Sequence, residues 1–128
     1  MKNIFPSWME AWVVQHGLDW DQAHQSARLA FSVDRARFVL TTHGSHGWLL
    51  QARIADLPDE NGKRETMIDR AALLATARMA RSATALTVDA QRSMLLLQLG
   101  VAADLDVPGF EAALEMMTND IELWRAVL

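Results

Sequence analysis

The spacing of apolar and polar positions changes several times along the chain, and each spacing predicts a kind of element. In "IFPSWMEAWVVQHG", residues 4 to 17, Phe5, Trp8, Trp12 and His16 recur at steps of three and four, which predicts a short helix. Ser7 and Glu10 have the spacing of a capping box, Asn3 is an alternative cap, and Gly17 is a natural stop. Met9, Val13 and Val14 widen the apolar side beyond the main stripe, so the helix carries more apolar surface than one core is expected to cover. After the connection "LDWDQAHQS" the period falls to two. In "ARLAFSV", Leu29, Phe31 and Val33 alternate with Arg28, Ala30 and Ser32. In "ARFVLTT", Phe38, Leu40 and Thr42 alternate with Arg37, Val39 and Thr41, and in "GWLLQARIA", Trp48, Leu50, Ala52 and Ile54 alternate with Leu49, Gln51, Arg53 and Ala55. These are three strands joined tightly at Asp34-Arg35 and at His43 to Gly47. One face is apolar enough to be core. The other mixes Arg28, Arg37 and Arg53 with Val39 and Leu49, as in a half-wetted antiparallel sheet.

"LPDENGKRE" is turn chemistry, with Pro58 and Asn61-Gly62 interrupting the pattern. Residues 65 to 82 then read as a helix. Ile68, Ala71, Ala72, Ala75 and Met79 lie on one side, and Met67, Leu74 and Arg78 are displaced around it, which suggests two separate contacts. Glu65 and Asp69 near its start and Arg78 and Arg81 near its end suit the helix dipole. "TALTV" and "SMLLLQL" predict a second hairpin around Asp89 to Arg92, and the run Met94 to Leu97 suggests a strand buried on both faces. A connection, "GVAADLDVPG", leads to a last helix in which Phe110, Leu114, Met117, Ile121, Trp124 and Leu128 recur at steps of three or four. The order helix, three strands, helix, two strands, helix predicts an α+β fold, an antiparallel sheet packed against helices.

Composition narrows the functional classes. At 128 residues the chain has the size of a single domain, 1–128, and folding removes about two-thirds of the surface that the unfolded chain exposes. Apolar residues at 51% and charged residues at 22% are ordinary for a globular protein. No apolar run approaches the ~20 residues that span a bilayer, and "MKNIFPSWME" lacks the layout of a secretory leader, so a soluble cytoplasmic protein without membrane insertion is expected. The absence of cysteine excludes disulfides, thiolate metal sites and cysteine nucleophiles. A net charge of −4 argues against a nucleic-acid partner.

The stretch that most resembles chemistry is "TTHGSHGW", residues 41 to 48. A hydrolase elbow places glycines two residues either side of its serine at a strand-to-helix turn. Here Gly47 fits, but Gly44 directly precedes Ser45 and strands lie on both sides. His43 and His46 supply at most two metal ligands unless His16, His24, Asp19 or Asp21 comes near, so the expectation is no metal and no cofactor. A solvated turn explains the same residues, with Gly44 and Gly47 free to take positive φ. The acidic pairs in "DWD", "PDE" and "DLD" lie in connections or beside helix starts, where capping explains them better than acid–base work. The outer-face arginines are suited to phosphate, but no aromatic is interleaved with them for base stacking. No catalytic residue is expected.

The order of elements, the strand "SHGWLLQARIADLP" with its exit to a loop and helix, and above all the closing "FEAALEMMTNDIELWRAVL" resemble the class I type III secretion chaperones, the Tir chaperone family. The likeness covers nearly the whole chain. It rests on a pattern of elements and hydrophobic positions, since the family has no invariant catalytic motif. The resemblance implies a bacterial cytoplasmic protein without enzymatic activity, a homodimer by default and a heterodimer in some members. Such a protein holds the amino-terminal segment of a secreted effector or gatekeeper protein unfolded and ready for secretion. It also implies dimer contacts at Leu74, Arg78, Met79, Leu86 and Val88, and client contacts at Trp8, Trp12, Val13, Val39, Leu49 and Arg53. In charge the chain departs from the family, many of whose members are strongly acidic, which weakens electrostatic recognition of a basic client. The alternative is a non-catalytic regulatory or scaffold module with the same fold.

Overall fold

The computed structural model describes residues 5–42, 47–78, 83–102 and 104–128, with Arg78 described by its backbone alone. The elements run α1 (Ser7–Gln15), α2 (Trp20–Ser26), β1 (Arg28–Val33), β2 (Ala36–Thr42), β3 (Gly47–Asp56), α3 (Asn61–Arg78), β4 (Ala85–Asp89), β5 (Met94–Ala102) and α4 (Val107–Val127). All strand pairs are antiparallel, in the order β1-β2-β3-β5-β4. The α+β class and the alternation of strands and helices match the sequence reading. One short helix, α2, replaces the connection expected over "LDWDQAHQS".

Local chemistry sets the helix ends. The Asp19 carboxylate accepts from the Gln22 N–H at 3.1 Å and starts α2, while Ala27 ends it in the left-handed region at φ 57°. Seven residues are too few for a helix that stands alone. Packing completes the stabilisation, because Ala23 is buried and the Trp20 ring lies 6.2 Å from that of Phe5. At α1 the expected capping box does not form. Pro6 occupies the cap position without a side-chain bond and Ser7 is already helical, whereas Gly17 does act as the stop, at φ 71°. Helix α3 starts at Asn61, four residues before the expected start. Asn61 and Gly62 sit in a first turn whose N–H groups need no intrahelical partner, and the Arg64 N–H reaches the Glu60 carbonyl at 2.9 Å. Helix α4 starts at Val107, with the Asp106 carboxylate accepting from the Gly109 N–H at 2.9 Å and Pro108 in the first turn. Capping therefore accounts for "DWD" and "DLD".

The sheet buries the face that alternation assigns to the core. Leu29, Phe31, Phe38, Leu40, Trp48, Leu50, Ala52 and Ile54 are buried, and β5 adds Leu95, Leu97, Leu99 and Val101. Against them α1 places Met9 and Trp12, α3 places Ala71, and α4 places Phe110, Leu114, Met117, Ile121 and Trp124. An aromatic cluster joins helices to sheet. The Trp12 ring meets Phe31 and Phe110 edge-on at 5.0 and 5.1 Å, and Phe31 stacks on Phe38 at 5.5 Å. No residue on the opposite face of the sheet is buried. The expectation that Met94 to Leu97 is buried on both sides is corrected accordingly. Leu95 and Leu97 face the core, whereas Met94 and Leu96 are half-buried on a face that no second layer covers among the described residues.

Candidate functional site

The uncovered face is built from the outward positions of each strand, and register arranges them in rows. One row runs Arg28, Thr41, Leu49, Gly100. The next runs Ala30, Val39, Gln51, Gln98, Ala85, and the Gln51 side-chain amide donates to the Gln98 amide oxygen at 3.0 Å. A third row pairs Ser32 with Arg37 and continues through Arg53, Leu96 and Thr87. The middle of this face is thus aliphatic and amide, and its ends carry arginine.

Turns and a bulge add to it. Asp34 and Arg35 both have positive φ, 48° and 69°, which gives the two-residue hairpin the twist that lets Val33 pair with Ala36. The register of β3 against β5 slips between Arg53 and Ala55. At that bulge Arg125, from α4, donates to the Arg53 and Ile54 carbonyls at 3.2 and 3.3 Å. The result is a cleft of about 510 Å³ that brings together Arg28, Arg35, Arg37, Arg53, Arg92 and Arg125 over a floor that includes Val39, Met94 and Leu96. Arg53 pairs with Asp56 at 3.3 Å and Arg92 with Asp89 at 3.7 Å. Among the described residues Arg28, Arg35 and Arg37 have no carboxylate partner.

The predicted contact residues divide in this setting. Val39 and Leu49 are half-buried and Arg53 is exposed, all on the uncovered face, and Trp8 is half-buried against Phe110 on the helical side. Trp12 and Val13, at 2% and 0% exposure, lie inside the core. The surplus apolar residue of α1 is Val14, 62% exposed. Of the predicted dimer residues, Leu74 and Leu86 are half-buried against the core, and Val88 is exposed on the edge strand β4. A large apolar residue of α3 open to solvent is Leu73, at 74%. Met79, His43, Ser45 and His46 lie outside the described residues, and the Arg78 side chain is not described. Sequence reading placed Arg28, Arg37 and Arg53 on one face. It missed Arg35, Arg92 and Arg125, which reach the cleft from two turns and a helix, where strand alternation carries no signal.

Among the described residues no cluster of histidine and carboxylate side chains is placed to hold a metal ion, and no helix is long and apolar enough to cross a membrane. The arrangement offers guanidinium groups, amides and aliphatic surface.

Comparison with known proteins follows the same lines. Residues 17–125 match the family model described as the Tir chaperone protein (CesT) family. No curated protein is recognisably similar in sequence. Among solved structures, the fold is similar to the ExsC–ExsE complex, with TM-score 0.68, 17% identity, and coverage of 94% of this chain and 90% of that one. It is also similar to the heterodimeric ExoU–SpcU complex from the type III secretion system of Pseudomonas aeruginosa, with TM-score 0.64, 15% identity, and coverage of 94% and 97%. The HopA1–SchA chaperone–effector complex matches with TM-score 0.57, 13% identity, and coverage of 78% and 76%. At these identities the likeness is one of fold.

Proposed function

The chain belongs to the Tir chaperone protein (CesT) family, a family of non-enzymatic effector-binding proteins, and we propose that it is a type III secretion chaperone. On this reading it binds the amino-terminal segment of a secreted effector or gatekeeper protein in the bacterial cytoplasm and keeps that segment unfolded and competent for secretion. The observation that carries the reading is the family match over residues 17–125, in a chain whose sheet leaves one half-apolar face open. An extended client gains main-chain hydrogen bonds along a strand edge and places side chains in shallow apolar sites, recognition that tolerates many sequences. Both β1 and β4 are edge strands.

Client contact is assigned to Trp8, Val39, Leu49 and Arg53. Dimer contact is assigned to Leu74, Arg78, Met79, Leu86 and Val88 of the single domain 1–128, joining two copies or two related chains. Light scattering combined with co-expression beside the secreted protein encoded next to it tests the reading. The expected result is a dimer that co-purifies with the client's amino-terminal segment. A monomer that brings down nothing favours instead a regulatory or scaffold module of the same fold.

A further inference from the structure

We propose that the arginine-lined cleft on the open face of the sheet is a docking site for an acidic stretch of the client, an extended segment with carboxylates on either side of an aliphatic centre. This rests on the chaperone reading and adds to it the chemistry of the partner.

The first argument is charge. The whole chain carries a formal charge of −4, yet six of its twelve Lys and Arg residues line this one cleft. Among the described residues the carboxylates that pair with them are Asp56 and Asp89, each three residues along the chain from its arginine. Arg28, Arg35 and Arg37 have no carboxylate partner among the described residues, and Arg125 donates to two backbone carbonyls. Like charges gathered in one cleft repel one another, and an acidic ligand relieves that repulsion. Guanidinium groups also suit carboxylates by geometry, since each can offer two parallel N–H donors.

The second argument is spacing. Arg28 and Ser32 lie at the two ends of the outward positions of β1, and Ser32 pairs with Arg37. The arginine rows are therefore four residues apart along the strands, roughly 13 Å at the rise of a strand. Between them the row Ala30, Val39, Gln51, Gln98 presents aliphatic groups and an amide pair already bonded to itself. An extended peptide with acidic residues about four positions apart and aliphatic residues between them matches both rows and floor. Nucleic acid matches less well, because among the described residues the cleft lining contains no aromatic side chain on which a base could stack.

The test uses the full chain and a fluorescein-labelled peptide with a Leu-Val-Leu centre and two glutamates on either side. Companion peptides carry glutamine or lysine in place of glutamate, and a labelled oligothymidine is the nucleic-acid probe. Fluorescence anisotropy is expected to show the glutamate peptide binding about tenfold tighter than the glutamine peptide, with that advantage shrinking severalfold as salt rises from low to physiological strength. The double variant Arg28→Glu, Arg37→Glu is expected to lose the advantage, and Arg70→Glu, on α3 away from the cleft, to keep it. Equal binding of the three peptides, no binding of the glutamate peptide, an equal loss in Arg70→Glu, or tighter binding of the oligothymidine overturns the proposal. Co-expression separates it from the chaperone reading. If the client co-purifies equally with the wild type and the double variant, the chaperone reading stands and the acidic docking site falls. If the glutamate peptide binds through the arginines but no client co-purifies, the site stands and the chaperone reading falls.

Discussion

The two faces of the sheet carry the same strands to opposite ends. On the covered face Phe38, Leu40, Leu50, Leu95 and Leu97 have essentially no exposure, and all belong to one core shared by helices and sheet. On the open face, one residue along from each of these, stand Arg37, Val39, Leu49, Gln51 and Leu96, none of them buried. Period-two alternation fixes which residues are on which face but leaves open what becomes of the second face. The first is consumed in folding. The second leaves its aliphatic and guanidinium groups outside the core, and the proposed client docking would make the difference one between stability and recognition.

Mutations can break this division, and the largest effect is expected on the covered side. Phe38→Ala removes a fully buried ring that stacks on Phe31 and should cost about 3–5 kcal/mol in urea unfolding. Next comes Thr84→Val. The Thr84 hydroxyl donates to the buried Asp120 carboxylate at 2.6 Å, and losing a bond to a buried charged group should cost about 2 kcal/mol by the same measurement. Asp106→Ala removes the cap of α4 and should cost about 1 kcal/mol, with a matching fall in thermal midpoint. The smallest change in stability, within about 0.5 kcal/mol, is expected for Arg37→Ala on the open face. If Arg37→Ala unfolds the protein as Phe38→Ala does, the open face is structural and the contrast between the faces fails.

How far the sequence could be read follows from the same physics. Strands and long helices were legible because alternation and the stripe from Phe110 to Trp124 sample many residues each. Helix α2 was not, because Trp20 to Ser26 is too short to show a period and owes its form to the Asp19 cap and to contact with Phe5. Trp12 and Val13 show the opposite difficulty. An apolar excess was visible on the first helix, but local spacing could not tell which residues the aromatic cluster would enclose and that Val14 would be left outside. Arg28, Arg37 and Arg53 of the first three strands were visible as outer-face charge. Their concentration into a cleft was not, because Arg35, Arg92 and Arg125 arrive from turns and from a distant helix, and only the register and the β3 bulge bring them to one place.

The strand order carries a consequence for synthesis. β5 lies between β3 and β4, so the centre of the sheet is completed by residues 94 to 102, which pair with Gly47–Asp56 far upstream. The two amino-terminal hairpin pairs can assemble as they emerge from the ribosome, but β3 keeps one edge unsatisfied until residues 94 to 102 have been made. Phe110 and Trp124, which seal the aromatic and aliphatic core, come later still. The nascent chain therefore passes through an interval with a bare β3 edge and an unsealed core, and during that interval it is itself open to aberrant strand pairing.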